Sequence, residues 1–238
     1  MVDWDSFSEK YDEIFLENPL YIDTIRKMVE QVEDADGKRV LDLGCGTGNT
    51  TARLLERFPA AGVVAVDPSE GMQRACSRRF ADNQNVLVAG GSALGIPVPD
   101  EDLDYVLTHL ALHHVPREQR GQCALELARV LKRGGRLVYA DIFCDVDGPP
   151  DDPERCRDVI DKIVGAALYC LEHGAYEMML VQLGTLPADI RENGEYLATP
   201  EVWMDALREA GFVGFEVVQV PPERLGVKIL SAVRGREG

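Results

Sequence analysis

The sequence predicts an α/β fold built on a mostly parallel sheet, and three observations support this prediction. From residue 38 onward, short apolar runs alternate with longer segments of helical period, which is the pattern of βαβ units. Most of these runs are apolar throughout, as expected of strands that helices cover on both faces. A last pair of apolar runs, joined by two prolines, predicts an antiparallel hairpin.

The predicted elements follow one another in a regular order. The strands cover residues 39–43, 63–67, 86–89, 103–108 and 136–141, and the hairpin covers 213–220 and 227–233. Helices are predicted at 49–57, 69–80, 116–132, 160–171, 176–183 and from Thr199 to Gly211. Ser69 is the expected N-cap of its helix, Pro116 begins the first turn of the next, and Gly134 lies beyond that helix's end.

These elements predict one domain over residues 1–238, with four parts. Residues 1–36 form a helical lid, 37–144 a ligand-binding core, 145–198 a helical insertion that caps the substrate, and 199–238 a final helix and hairpin. In the lid, an aromatic stripe at helical spacing either closes over a ligand or packs in the core; it consists of Trp4, Phe7, Tyr11 and Phe15.

Composition excludes several classes of function. The net charge of −16 disfavours binding to nucleic acids and to anionic membranes. No apolar run approaches a bilayer span and the amino terminus is acidic, so we expect a cytoplasmic protein without membrane insertion. The six cysteines contain no CxxC pair, and Cys170 with His173 lacks further ligands, so no metal site is predicted. The oligomeric state stays open, with a homodimer as one option.

The most informative stretch, VLDLGCGTGNTT, joins the first strand to the first helix of the core. Gly44, Gly46 and Gly48 let the backbone turn sharply against a ligand, and the following helix presents unpaired amides there. The next strand ends in Asp67, where a carboxylate can bind ribose hydroxyls. The GxGxG spacing differs from the GxGxxG of dinucleotide enzymes, which disfavours an NAD oxidoreductase.

This loop resembles motif I of the class I S-adenosylmethionine (SAM) methyltransferases. Further segments resemble the bacterial group that is similar to the ubiquinone and menaquinone methyltransferases; they are WDSFSEKYD, VDPSEGM, LALHHVP and ELARVLKRGGRLVYAD. The resemblance covers residues 4–141 well and the carboxyl-terminal part more loosely. It implies a Rossmann-like, seven-stranded sheet, SAM as the cofactor and S-adenosylhomocysteine as the product.

The resemblance also implies a set of cofactor-binding residues. They are Tyr11, Asp42, Gly44, Cys45, Gly46, Asp67, Pro68, Met72, Ser92, Ala93 and Thr108. Gly44 and Gly46 would lie under the methionine part and Asp67 would hold the ribose. Asp42 would order the loop or receive the ligand's ammonium group. Met72 would contact the adenine or only fill the core.

Three residues are candidates for the chemistry of transfer, because they lie beyond the carboxyl ends of the strands. His113 and His114 precede Pro116, and Asp141 ends the fifth strand. An imidazole there can take a proton from the acceptor, although capping and packing would also explain these side chains. Asp141 would orient the substrate, accept a proton or cap the next loop.

The acceptor is expected to be a small molecule. The insertion is apolar with phenolic ends, and its candidate lining residues are Tyr169, Tyr176, Met178, Met179 and Tyr196. Two alternatives stay open. One is a methyltransferase for tRNA, rRNA or protein, and the other is a protein that binds a SAM derivative, such as a carboxymethyl-transfer relative.

Overall fold

The computed structural model describes residues 4–236 and confirms the predicted seven-stranded α/β fold. The helices are α1 Trp4–Phe7, α2 Tyr11–Phe15, α3 Pro19–Glu30, α4 Asn49–Arg57, α5 Glu70–Arg79, α6 Arg120–Val130, α7 Pro153–Glu172, α8 Tyr176–Arg191 and α9 Pro200–Glu209. The strands are β1 Arg39–Leu43, β2 Gly62–Asp67, β3 Val86–Gly90, β4 Leu103–His109, β5 Leu131–Ile142, β6 Phe212–Gln219 and β7 Val227–Arg234. Short 3₁₀ helices lie at Leu112–His114, Arg117–Gln119 and Glu223–Leu225.

The strand order is β3-β2-β1-β4-β5-β7-β6, and the chain switches direction across the sheet between β1 and β4. Strands β1 to β5 pair in parallel, whereas β7 is antiparallel to both β5 and β6. Leu43 pairs with Val66 on one side and Thr108 on the other, so the carboxyl ends of these strands are level. Ligands of open parallel sheets bind in the crevice at such a switch point.

Helices cover both faces of the sheet, as the apolar strands predict. Along β1, Val40 belongs to the core on one face, while Leu41 and Leu43 belong to the core on the other. Helix α3 packs its buried side chains on the first face, and α6 and α9 bury theirs on the second. Within residues 4–236, no helix is both long and apolar enough to cross a membrane.

The helix predicted at 116–132 is shorter than expected. Pro116 precedes a 3₁₀ turn, α6 runs only from Arg120 to Val130, and Leu131 already has extended backbone angles. Leu131 is fully buried and pairs with Leu103, so its side chain enters the sheet's core rather than a helix face. Strand β5 therefore begins five residues earlier than predicted.

The insertion contains longer helices than the sequence predicts. Asp152 caps α7, because its Oδ1 accepts hydrogen bonds from the amides of Glu154 and Arg155. Helix α8 continues through Pro187 to Arg191, beyond the predicted end at residue 183. The two helices pack against each other. The predicted amino-terminal helix is divided into α1 and α2, with α3 following.

Candidate functional site

The glycine loop between β1 and α4 is hydrogen-bonded to the neighbouring strand β2. The amides of Gly44 and Cys45 both donate to the carbonyl oxygen of Val66, at 2.8 and 3.0 Å. Gly44 has φ of +73°, and a Cβ atom there would lie 2.4 Å from the Cβ of Ala111. A side chain is therefore excluded at this position by both the backbone angle and the close neighbour.

Two buried aspartates near the ends of β1 and β2 hold this loop, the start of α4 and the turn after β2. Asp67 accepts from the amide of Gly46 through Oδ2 and from that of Ser69 through Oδ1, both at 2.9 Å. Asp42 accepts through Oδ2 from the amide and the hydroxyl of Thr51, at 3.0 and 2.6 Å. Burial raises the pKa of Asp67, and it raises the pKa of Asp42 to about 6.

A cavity of about 260 Å³, here called the loop cavity, opens beside the glycine loop. Eight of the eleven predicted cofactor-binding residues line it: Tyr11, Gly44, Gly46, Asp67, Pro68, Met72, Ser92 and Ala93. The structure does not bring Asp42, Cys45 or Thr108 to the cavity surface. Asp42 instead holds the start of α4, and Thr108 is fully buried in β4.

The amino-terminal helices lie over the loop cavity and are hydrogen-bonded to its rim. Asp12 accepts through Oδ1 from the Thr47 hydroxyl at 2.5 Å and from Nδ2 of Asn49 at 2.9 Å. Asp5 accepts through Oδ1 from the Ser69 hydroxyl and the Gly71 amide, at 2.6 and 2.8 Å. These contacts hold α1 and α2, here called the cover, against the rim; that the segment acts as a lid stays a prediction.

The aromatic side chains of the amino-terminal helices both pack in the core and line the loop cavity. The Tyr11 ring stacks on Phe15 with centroids 4.0 Å apart, and Phe15 is buried in the core. Tyr11 also lines the loop cavity, and its ring lies 3.9 Å from where a Cβ of Gly46 would be. Trp4 lines the cavity too, 5.8 Å from the ring of His114.

His113 is paired with Asp141 at the carboxyl end of β5. The His113 Nδ1 and Asp141 Oδ1 atoms lie 2.7 Å apart, and Asp141 also accepts from the Tyr139 hydroxyl and the Ile142 amide. Burial would lower the pKa of His113, but the charge and hydrogen bond of Asp141 outweigh it and raise that pKa to about 9. Burial would raise the pKa of Asp141, but the charge and hydrogen bond of His113 outweigh it and lower that pKa.

His114 faces the loop between α8 and α9. Its Nδ1 lies 2.9 Å from the carbonyl oxygen of Gly194 and 3.3 Å from Oε2 of Glu195. The same Glu195 oxygen lies 3.4 Å from Nε2 of His113. Burial lowers the pKa of His114 to about 4 and raises that of Glu195 to about 7. Burial also lowers the pKa of His109 to about 4.

A second cavity of about 80 Å³, here called the inner cavity, lies between this cluster and helices α7 and α8. It shares four lining residues with the loop cavity: Trp4, Tyr11, Leu110 and His114. Its other walls combine apolar side chains of the insertion with polar ones, including His113, Asp189 and Glu195. The two cavities therefore meet at the cover and the His114 ring.

Comparisons with known proteins agree with this architecture. The profile of a methyltransferase domain matches residues 40–135. The chain is 34% identical to the demethylmenaquinone methyltransferase of Clavibacter sepedonicus over 184 residues, 76% of this chain and 67% of that one. The chain belongs to the class I SAM-dependent methyltransferases.

Two further comparisons concern the extent of the similarity. An uncharacterised methyltransferase of Geobacillus is 31% identical over 137 residues, 58% of this chain and 59% of that one. This chain thus spans about three-fifths of the length of the first curated relatives it matches. A solved SAM-dependent methyltransferase from Thermotoga maritima superposes with a TM-score of 0.65 at 20% identity, covering 97% of each chain.

The methyltransferase fold brings together residues that the sequence did not connect. Glu195 and Asp189, which line the inner cavity, belong to the insertion and were not predicted as site residues. Of the residues expected to line an acceptor pocket there, only Met178 is among those that line the inner cavity. Tyr176 is 59% exposed, and Tyr169 stacks on His173 instead. No local pattern around ENGEY indicates a site.

Proposed function

We propose that this methyltransferase binds SAM in the loop cavity and transfers its methyl group to a small molecule held in the inner cavity. The observation that carries this proposal is the junction of the two cavities. A methyl group passing from one ligand to the other must cross where Tyr11, Leu110 and His114 line both. Proximity and orientation of this kind lower the barrier to a bimolecular reaction.

The residues of the loop cavity suit an adenosyl cofactor. Gly44 and Gly46 leave their backbone uncovered at the cavity surface, and the Asp67 carboxylate lies at its edge. His109 lines the same cavity, and its buried Nε2 has no hydrogen-bond partner in the part of the chain that the structure describes. We propose that Asp67 holds the ribose and that Met72 contacts the adenine. Ser92 and Ala93 would lie beside the adenine base.

The inner cavity supports a small acceptor. Its walls include Phe15, Ile163 and Met178, and its volume is only about 80 Å³. The net charge of −16 opposes the approach of tRNA or rRNA. We therefore place the acceptor between the amino-terminal helices of residues 4–36 and the insertion of residues 145–198. The unpaired cysteines fit the cytoplasmic location that we propose.

The sulfonium of bound SAM supplies an already activated methyl group, so the chain has mainly to orient the nucleophile and exclude water. Asp141 fixes the ring of His113, and His114 faces both cavities. We propose that these three residues orient the nucleophilic atom of the acceptor toward the methyl group.

Calorimetry with S-adenosylhomocysteine tests the cofactor site directly. We expect micromolar binding, weakened at least tenfold by Asp67→Ala, because that carboxylate orders the loop through Gly46. Ser69→Gly, in the turn between β2 and α5, is a suitable control; it should weaken binding less, because the Asp67 carboxylate stays in place and keeps its bond from the residue 69 amide. A folded protein that releases no heat with this ligand would refute the proposed function.

A further inference from the structure

We infer that His113, His114 and Glu195 form a binding site for one divalent transition-metal ion beside the inner cavity. One ligand atom from each residue lies within 4.8 Å of the other two. Oε2 of Glu195 is 3.4 Å from Nε2 of His113 and 3.3 Å from Nδ1 of His114. Two atoms bound about 2.1 Å from a tetrahedral ion are about 3.4 Å apart, so the spacing of Glu195 from each of the two imidazoles already suits a shared ion.

The orientation of His113 is that of a metal ligand. Its Nδ1 is held by Asp141 at 2.7 Å, which turns Nε2 toward Glu195. Histidines that bind metals commonly donate their other ring N–H to a carboxylate in this way. Asp141 is itself fixed by the hydroxyl of Tyr139 and the amide of Ile142, so the ring cannot turn freely.

A further residue that lines the inner cavity also favours a cation there. Asp189 lines the inner cavity and is only 2% exposed, yet its Oδ2 has no hydrogen-bond partner among residues 4–236. A buried carboxylate oxygen without a partner is unfavourable, and of the two other carboxyl groups nearby only Asp141 has a close partner, His113; Glu195 lies 3.3 and 3.4 Å from the imidazole nitrogens. A dication would offset this accumulation of buried negative charge.

His114 completes the site at the cost of one local contact. Its Nδ1–H now donates to the carbonyl oxygen of Gly194 at 2.9 Å; binding of the ion at Nδ1 would move the proton to Nε2 and break that hydrogen bond. Two imidazoles and one carboxylate select zinc, iron, cobalt or manganese over magnesium and calcium, which prefer oxygen ligands throughout.

Three protein ligands leave at least one coordination position open toward the inner cavity. If the acceptor occupies that cavity, as the proposed function requires, it would bind the ion through an oxygen. The acceptor class would then be a hydroxyl or phenol compound. This second part depends on the proposed function, whereas binding of the ion does not.

Titration of the chelator-treated chain with Co²⁺, followed by visible absorption, tests the metal site. We expect one equivalent to bind with a spectrum of nitrogen and oxygen ligands and no thiolate charge-transfer band. Glu195→Gln, which keeps the shape of the side chain, should weaken binding at least tenfold. His173→Asn is the matched control, because His173 is exposed at the end of α7 and lies outside the cluster; its affinity should not change.

The outcomes separate this inference from the proposed function, because S-adenosylhomocysteine binding is measured on the same preparations. A protein that binds S-adenosylhomocysteine but does not bind Co²⁺ would overturn the metal site and leave the methyltransferase proposal intact. Equal Co²⁺ affinity in wild type and Glu195→Gln, or a thiolate band, would also overturn it. Should Glu195→Gln fail to fold by circular dichroism, His113→Gln provides the same comparison.

Discussion

Replacing Asp42 by asparagine should change how the stability of the chain depends on pH. Asp42 is 2% exposed and burial raises its pKa from 3.8 to about 6. A carboxyl group with a raised folded-state pKa favours folding fully below its unfolded pKa and loses that contribution as pH rises through the folded value. The difference between these two pKa values lowers the unfolding free energy by about 3 kcal/mol at neutral pH, compared with its value in acid.

Most of this change in unfolding free energy occurs between pH 4 and pH 6. About 1 kcal/mol of it occurs between pH 5 and pH 7. When the pH is lowered from 7 to 5, the unfolding free energy of the wild type should therefore increase by about 1 kcal/mol relative to that of Asp42→Asn. Urea unfolding at each pH measures this difference. The asparagine oxygen can still accept from Thr51, so S-adenosylhomocysteine binding should persist. Parallel stability curves for the two proteins would refute the reasoning.

Three further predictions concern the loop, the insertion and the cover. Gly44→Ala should destabilise the chain more than Gly37→Ala by urea unfolding, because both have positive φ but only Gly44 has Ala111 against it; equal losses would contradict this. Arg155→Met should cost about 3 kcal/mol, since this buried guanidinium pairs with Glu192, whereas exposed Arg157→Met should cost under about 0.5 kcal/mol. Asp12→Ala should weaken S-adenosylhomocysteine binding severalfold and speed amide exchange in α2; unchanged calorimetry and exchange would show that the cover does not depend on this contact.

The proximity of the residues that we propose bind the cofactor could be predicted, because they are close in sequence or at equivalent strand ends. Gly44 and Gly46 follow β1 directly, and Asp67 ends β2, which pairs with β1 in parallel. Level strand ends bring these residues together without any information about side-chain packing. Thr108 is equally placed at a strand end, but its side chain points into the core.

The cluster beside the inner cavity could not be predicted in the same way. Glu195 meets His113 and His114 only because α7 and α8 pack together and return the chain to the loop after β4. The His114 contact with Gly194 spans 80 residues. Asp189 is distinguished only by its burial and by an oxygen that has no hydrogen-bond partner among residues 4–236, and no local pattern indicates either.

Local chemistry in the sequence therefore determined the parallel sheet, the glycine loop, the helix caps and the family. Apolar periodicity and turn residues act over a few positions, so these features are present in short segments. The tertiary structure decided which buried polar groups face one another across the inner cavity. Those contacts depend on how two helices of the insertion pack on the sheet, and such packing is a property of the whole fold.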